Sequence, residues 1–486
     1  MKGPSVEPFN EAKYKALMDG LDFQEIYKNS LENEFTIGAE YYGKKYVEAI
    51  EQVIKVPELE RLGDMWELAT DGDHGSPNYQ ESGVMYLLSE CVQSGYIEKS
   101  KCRYITVEKN RELQRSCLHP GDVVVTKTGV YFGKSAVIPD SISEANTIAH
   151  VGKITLKSRY NPYYVSTFFN CKYGYYQLRR RGIKATRPEI KLVEFPDIII
   201  PQFSVNLYTT IERTIRQANR LIENATGLYN GTIQQLMTFL HIDAKNIKKS
   251  EMSVVNLSES LNLTGRLDAE YYQPKYYKLL ESLNENKTMP LSGENGLVTY
   301  RKSIEPGSEA YLEEGIPFIR VSDVDKFGIS SPPIMVSRDV VPNIQDLYPK
   351  KDTILLSKDG SIGIAYKLEK DMEAVTSGAL LHLTVKDSNV VLPDYLTLVL
   401  NSPIVQLQAE RDCNGAIIQH WKPSDIEKVL IPVLEMHLQQ EIANKVQESF
   451  RLRHESKRLL DLAVKTVEMA IETDEETALI WLEAQK

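Results

Sequence analysis

Two stretches of the chain carry apolar and small residues at steps of three and four, with no proline among them. One follows the short apolar strand Val429-Leu430-Ile431, stopped at Pro432, and runs from Leu434 to about Glu472. Its seam is Ile442, Val446, Ser449, Ser456, Leu460, Ala463, Val467 and Ala470. Steps of that kind lay one narrow stripe of a helix against a second helix. The other follows Ile198-Ile199-Ile200 and Pro201, with the seam Ile211, Ile215, Ala218, Ile222, Ala225, Tyr229 and Leu236. Gly227 and Gly231 weaken that helix by about 1 kcal/mol each relative to alanine. Pro201 and Pro432 lie 231 positions apart. The helices therefore read as copies in a duplicated chain, a spacer between two similar domains.

Other patterns repeat at nearly the same interval. Ala39-Glu40-Tyr41-Tyr42 leads into a helix Lys44–Val56, and Ala269-Glu270-Tyr271-Tyr272 into Lys275–Leu283. Strands behind a glycine, Gly83-Val84-Met85-Tyr86-Leu87 and Gly315-Ile316-Pro317-Phe318-Ile319, match each other. Asp122-Val123-Val124-Val125 and Asp352-Thr353-Ile354-Leu355 match as strands that enter glycine turns. Asn161-Pro162 and Leu392-Pro393 each open a helix, with proline early as helix starts allow, running to Asn170 and Asn401. Helices and short strands mix without regular alternation, which predicts an α+β class: two duplicated domains and a pair of long antiparallel coiled-coil helices. The expected divisions are a lead-in 1–22 with a short helix Glu11–Met18, a first domain 23–201 and a first spacer helix 202–245. A polar hinge 246–252, a second domain 253–432, a second spacer helix 433–472 and a tail 473–486 follow. Thr473-Asp474-Glu475-Glu476 is a capping-box pattern opening the tail helix, which is expected to pack on its own domain.

Length adds that one core cannot hold 486 residues. Five scattered cysteines, with no CxxC pair, suit a reduced cytoplasmic protein better than a disulfide or zinc framework. There is no signal-peptide core at the start and no apolar run of the roughly 18 residues that span a bilayer. The whole chain is acidic, with a net charge of −10. Glu98–Glu194 is the opposite, with 18 lysines and arginines against 8 acidic residues, a net of +10. A basic domain inside an acidic chain is the footprint of a polyanion surface. The corresponding window Ile329–Asp425 counts 9 against 12, a net of −3.

Catalytic chemistry is not apparent. Gly129-Val130-Tyr131-Phe132-Gly133-Lys134-Ser135 sets its glycines one residue too close for a P-loop, and Gly360-Ser361-Ile362-Gly363-Ile364 has no lysine. Turns with glycine at positive φ are expected in both places. Asn161-Pro162-Tyr163-Tyr164 lacks the second proline of a methyltransferase Asn-Pro-Pro-Tyr turn, and the eight histidines form no HExxH. What remains is polar and basic sequence on loops. Lys172-Tyr173-Gly174-Tyr175-Tyr176 leads into Arg179, Arg180 and Arg181, then Lys184 and Arg187, a set able to stack and to clamp phosphates. A solvated helix face with its tyrosines inward weighs equally. Gln419, His420, Trp421 and Lys422 read as the matching stretch of the second copy, able to read base edges or stack. Lys127-Thr128 (with Lys134 beyond it) and Lys358-Asp359 stand at equivalent turns. The loop Asp71-Gly72-Asp73-His74-Gly75-Ser76 precedes the first glycine-led strand.

These residues together resemble a known family. Ile431-Pro432-Val433-Leu434 with Gln439 and Ile442, the Ala-Glu-Tyr-Tyr starts, and the strands running into Lys-Thr-Gly and Lys-Asp-Gly are similar to specificity subunits of bacterial type I restriction–modification systems. So is the duplicated layout, from about residue 23 to 472; the first copy departs in having Tyr208 where the second has Gln439. The resemblance implies two target-recognition domains that each read one part of a bipartite asymmetric site in double-stranded DNA. It implies long helices that set the gap and dock two methyltransferase subunits, with endonuclease/translocase subunits joining. The chain itself would be non-catalytic and without cofactor; S-adenosylmethionine, ATP and magnesium would belong to the partners. Two alternatives stand beside this: a specificity partner of a type II-like or other phage-defence methyltransferase, and a scaffold that binds only protein.

Overall fold

The computed structural model describes residues 10–19, 25–27, 31, 38–182, 188–242, 252–260, 265–330, 334–413 and 419–485. It divides into two compact units, Met1–Ile222 with His454–Lys486, and Glu223–Arg453. Both division points fall inside long helices, Val205–Phe239 and Met436–Glu472.

In the first unit an antiparallel sheet has the spatial order Trp66–Asp71, Val151–Leu156, Val123–Thr126, Ser135–Val137. A second sheet holds Val84–Leu87 between antiparallel Arg103–Ile105 and parallel Ala145–Thr147. Leu59–Arg61 pairs with Ile199–Pro201 and places Leu59 opposite Pro201. The second unit repeats these strands and adds one, Tyr311–Leu312, beside Ile334–Val336. Its sheets run Val298–Lys302, Leu380–Val385, Ile354–Ser357, Ala365–Lys367, and Ile316–Ile319 between antiparallel Ile334–Val336 and parallel Val375–Thr376. Thr288–Pro290 pairs with Leu430–Pro432. The glycines that lead the matched strands are required there: at φ +144 and +151, a Cβ on Gly83 or Gly315 would lie 2.3 Å from the carbonyl oxygen of Ile105 or Val336.

Side-chain clips that close each copy repeat as well. Asn170 accepts from the Ser135 amide at 3.0 Å and donates to its carbonyl at 2.8 Å; Asn401 does the same to Ala365 at 3.1 and 2.7 Å. Gln177 brackets the backbone of Ile199, and Gln408 that of Leu430. The Tyr164 and Tyr395 hydroxyls donate to the carbonyls of Pro201 and Pro432. Tyr208 and Gln439 differ chemically but hold the same bend, through the Phe203 amide at 2.9 Å and the Leu434 carbonyl at 2.8 Å. Each clip satisfies backbone groups that would otherwise be buried unpaired, a loss of about 1–3 kcal/mol apiece.

Within each unit the two helix segments run antiparallel. In the first, the Ser456 hydroxyl donates to the Ala218 carbonyl at 2.7 Å and Ser204 bonds Glu475. In the second, Ser449 donates to the Ala225 carbonyl at 2.8 Å and Gln235 to Glu441 at 2.7 Å. Small serines let the backbones approach closely enough for those bonds. Every seam position read from the sequence is buried except Ile222, which is half-buried. The tail helix Glu475–Gln485 buries Ala478 and Leu482 in the first unit's core. Its cap is Asp474, which accepts from the Thr477 amide, one position beyond the expected Thr473. The lead-in helix spans Glu11–Met18. The hinge residues 246–251 lie outside the described residues, among which no helix is long and apolar enough to cross a membrane.

One buried group ties the second unit to pH. His382 is 2% exposed, its Nε2 lies 2.8 Å from the Thr376 hydroxyl, and burial, with Arg301 nearby, pushes its pKa down to about 4. The folded imidazole stays neutral where the unfolded one, near 6.5, takes a proton. Stability is therefore whole above about 6.5 and is lost as the pH falls toward 4, by roughly 3 kcal/mol at the bottom of that window. Denaturant midpoints at pH 7 and 4.5 should differ less in His382→Gln than in the parent; equal slopes would remove His382 as the cause.

Candidate nucleic-acid interface

The strand Val123–Thr126 ends in the turn Lys127-Thr128-Gly129, and Ile354–Ser357 in Lys358-Asp359-Gly360, with φ +75 and +73 at the two glycines. Each turn is laddered to a returning segment. The Gly129 amide donates to Pro188 at 3.1 Å and Ile190 donates back to Lys127 at 3.0 Å. The Gly360 amide donates to Gln419 at 2.9 Å and Trp421 donates back to Lys358 at 2.8 Å. Thr128 faces Glu189, and Asp359 faces His420. Gln419–Lys422 thus corresponds to Pro188–Lys191, not to the tyrosine and arginine cluster with which the sequence reading aligned it. The counterpart of that cluster is the helix Pro403–Asp412.

The candidates separate by burial. Lys127 is buried and its ammonium is paired with Asp71; Thr128 is buried as well. Arg180 is 3% exposed, stacks on Tyr41 with 4.2 Å to the ring centre and donates to its hydroxyl at 2.8 Å. Arg411 stacks on Tyr271 in the second unit, so this is what the repeated Ala-Glu-Tyr-Tyr motif does. Arg181 is buried and donates to the Gln177 and Asp197 carbonyls, both at 3.1 Å. Trp421 occupies the core position of Ile190. These side chains hold the corner together from within and do not reach the surface. Lys134 is half-buried against Gln93 at 2.6 Å, and burial, then Lys101, lowers its pKa. Arg179 is half-buried over Phe132. Lys184 and Arg187 lie outside the described residues. In the second copy Lys358 pairs with Asp359, whose other oxygen meets His420 Nδ1 at 2.8 Å. That leaves His420 Nε2, Gln419 and Lys422 at the surface.

Residues 297–459 match the family model described as type I restriction modification DNA specificity domain. That segment includes the Lys358–His420 corner and the second copy's strands from Val298 onward. A search of curated proteins gives no match. Among solved structures, the S subunit of a type I system from M. genitalium is similar at 13% identity, covering 86% of this chain and 96% of that one, with a TM-score of 0.38. The HsdS subunit from Thermoanaerobacter tengcongensis is similar at 14% identity, with coverage of 86% and 98% and a TM-score of 0.27.

Around the second copy's corner the accessible chemistry is a histidine held by a carboxylate. A ring whose Nδ1–H faces Asp359 presents an acceptor at Nε2. The first copy offers a different surface, which the sequence pattern does not single out. Arg103, Arg111 and Arg115 are exposed, and among the described residues their guanidinium groups make no hydrogen bond or ion pair. Arg103 lies on the strand beside Val84–Leu87, whose other neighbour Ala145–Thr147 continues to Ile148, the bridge partner of Asp73. Asp73 is pinned by Thr147 and Ala149, both at 2.8 Å, which leaves His74 and Ser76 exposed. Asp73 Oδ2 and the Tyr86 hydroxyl are buried without a partner among the described residues. Burial, then Asp73, raises the Tyr86 pKa.

Proposed function

We propose that the chain is the DNA sequence-specificity subunit of a type I restriction–modification complex. Each copy reads one part of a bipartite asymmetric site, while the long helices set the gap and dock two methyltransferase subunits. Endonuclease/translocase subunits then complete the complex. S-adenosylmethionine, ATP and magnesium belong to those partners, and this chain is non-catalytic. The observation that carries the reading is the corner: one backbone ladder, built twice, presents different side chains in the two copies. Glu189 and His420 at one structural position are what two different half-sites require.

Methylome sequencing with and without this chain tests the reading, and exchange of residues 57–193 for the same region of a related chain sharpens it. One half-site should change and the other stay. A swap that altered both halves would defeat the division of labour. Within the corner, His420→Ala should change preference at a few adjacent base pairs of one half-site by roughly 1–3 kcal/mol. Replacing Arg103, Arg111 and Arg115 together by alanine should weaken binding to all sequences and flatten the salt slope by up to about 0.9 per arginine. An unchanged slope would mean that this surface does not meet phosphate.

A further inference from the structure

Outside the corner, the first unit brings together three side chains of metal-ligand type. Cys117 Sγ lies 3.2 Å from Glu144 Oε1 and 3.8 Å from His119 Nε2, and all three ligand atoms fall within 4.8 Å of one another. Around a tetrahedral zinc ion, a thiolate sulfur and an imidazole nitrogen or carboxylate oxygen stand on the order of 3.6 Å apart. The ligand atoms are therefore spaced for an ion before one arrives.

The backbone explains why. Residues 117–119 are extended, so Cys117 and His119 share a face while Leu118 points into the core. Leu118 and Ala145 exchange both backbone hydrogen bonds, at 2.7 and 3.1 Å, which fixes Glu144 opposite. The outer groups hold the frame: Asp122 accepts from the His119 amide at 2.8 Å, and the Lys153 ammonium donates to the Cys117 carbonyl. That ammonium is paired with Asp122 at 3.1 Å, and the Asn110 amide lies 3.9 Å from the sulfur. His119 and Glu144 are exposed, so an ion has a route in and an open fourth position for water. Linear spacing hides the set, because the carboxylate comes from another segment. At the repeat interval of 231 stand Tyr348 and Lys350, so the second copy has no counterpart.

We propose that Cys117, His119 and Glu144 form a site for a zinc-class divalent ion that clips the first unit's small sheet. On binding, the Cys117 S–H bond breaks and its proton goes to solvent. The hydrogen bond from sulfur to Glu144 is given up, and sulfur–metal, imidazole–metal and carboxylate–metal bonds form.

Cobalt(II) added to the full chain, freed of metal by chelator, tests this. The expected result is about one tightly held cobalt per chain, with a thiolate-to-cobalt charge-transfer absorption and the strong visible bands of a tetrahedral site. Zinc should bleach both. Cys117→Ser should abolish the charge-transfer band; His119→Ala, at an exposed position that folding does not need, should weaken binding at least about tenfold. Zinc should also raise the thermal midpoint of the parent and leave that of His119→Ala in place. No charge-transfer band in the parent, a band that survives Cys117→Ser, or equal affinity in His119→Ala would each overturn the site.

Discussion

Four residues inserted into both long helices, after Ile222 and after Arg453, are expected to lengthen the unread gap of the recognised site by about one or two base pairs. Both half-sequences should stay as they were. Four helical residues add roughly 6 Å, against about 3.4 Å per base pair. The paired design follows from the two serine bonds. Ser456 holds Ala218 on one side of the insertions, while Ser449 holds Ala225, and Arg453 holds Thr226, on the other. Matched insertions keep all three in register. An insertion in the first helix alone displaces one set by about a turn and should cost activity outright, because a buried hydroxyl and its carbonyl lose each other. Sequencing of methylated sites in cells carrying each form is the measurement. Full methylation by the paired form at an unchanged gap would show that these helices do not set the spacing.

Lys127→Met is expected to destabilise the first unit by about 3–5 kcal/mol, rather than to weaken DNA binding uniformly. The lysine side chain is 8% exposed and its partner Asp71 22%. Removing one member of a buried pair strands the other charge away from water, a loss of that size, while replacing both by apolar groups of similar volume is close to neutral. Lys127→Met with Asp71→Leu should therefore recover most of the midpoint lost in the single variant. Chemical denaturation of the three proteins separates the cases. An unaltered midpoint with weaker DNA binding in Lys127→Met would return this lysine to the surface.

What the sequence made legible was periodic. The seams from Ile211 to Leu236 and from Ile442 to Ala470 could be read because a helix repeats its contacts every three or four residues. The matched asparagines and proline-stopped strands could be read because duplication repeats them. The candidate binding residues had no such period. Arg179, Arg180 and Arg181 are consecutive on the helix Lys172–Arg181 and so point about 100° apart. Three such side chains cannot share one face, and two of them turn inward to Tyr41 and to backbone carbonyls. A charge count over Glu98–Glu194 weighs those buried cations equally with the exposed Arg103, Arg111 and Arg115. The Gln419–Lys422 stretch was aligned by chemical flavour, whereas the constant interval of 231 leads to Pro188–Lys191. Trp421 and Thr128 look like surface groups in sequence, because nothing local records that a returning segment covers them.

The composition of the two units orders events on the ribosome. The second unit is one uninterrupted stretch, Glu223–Arg453, and can close as soon as it has emerged. The first unit begins earlier and finishes later, because it needs His454–Lys486 to cover Ile211, Ile215 and Ala218. Domains fold as units while the chain is made. The first unit therefore waits, with that apolar stripe uncovered, through the synthesis of the whole second copy.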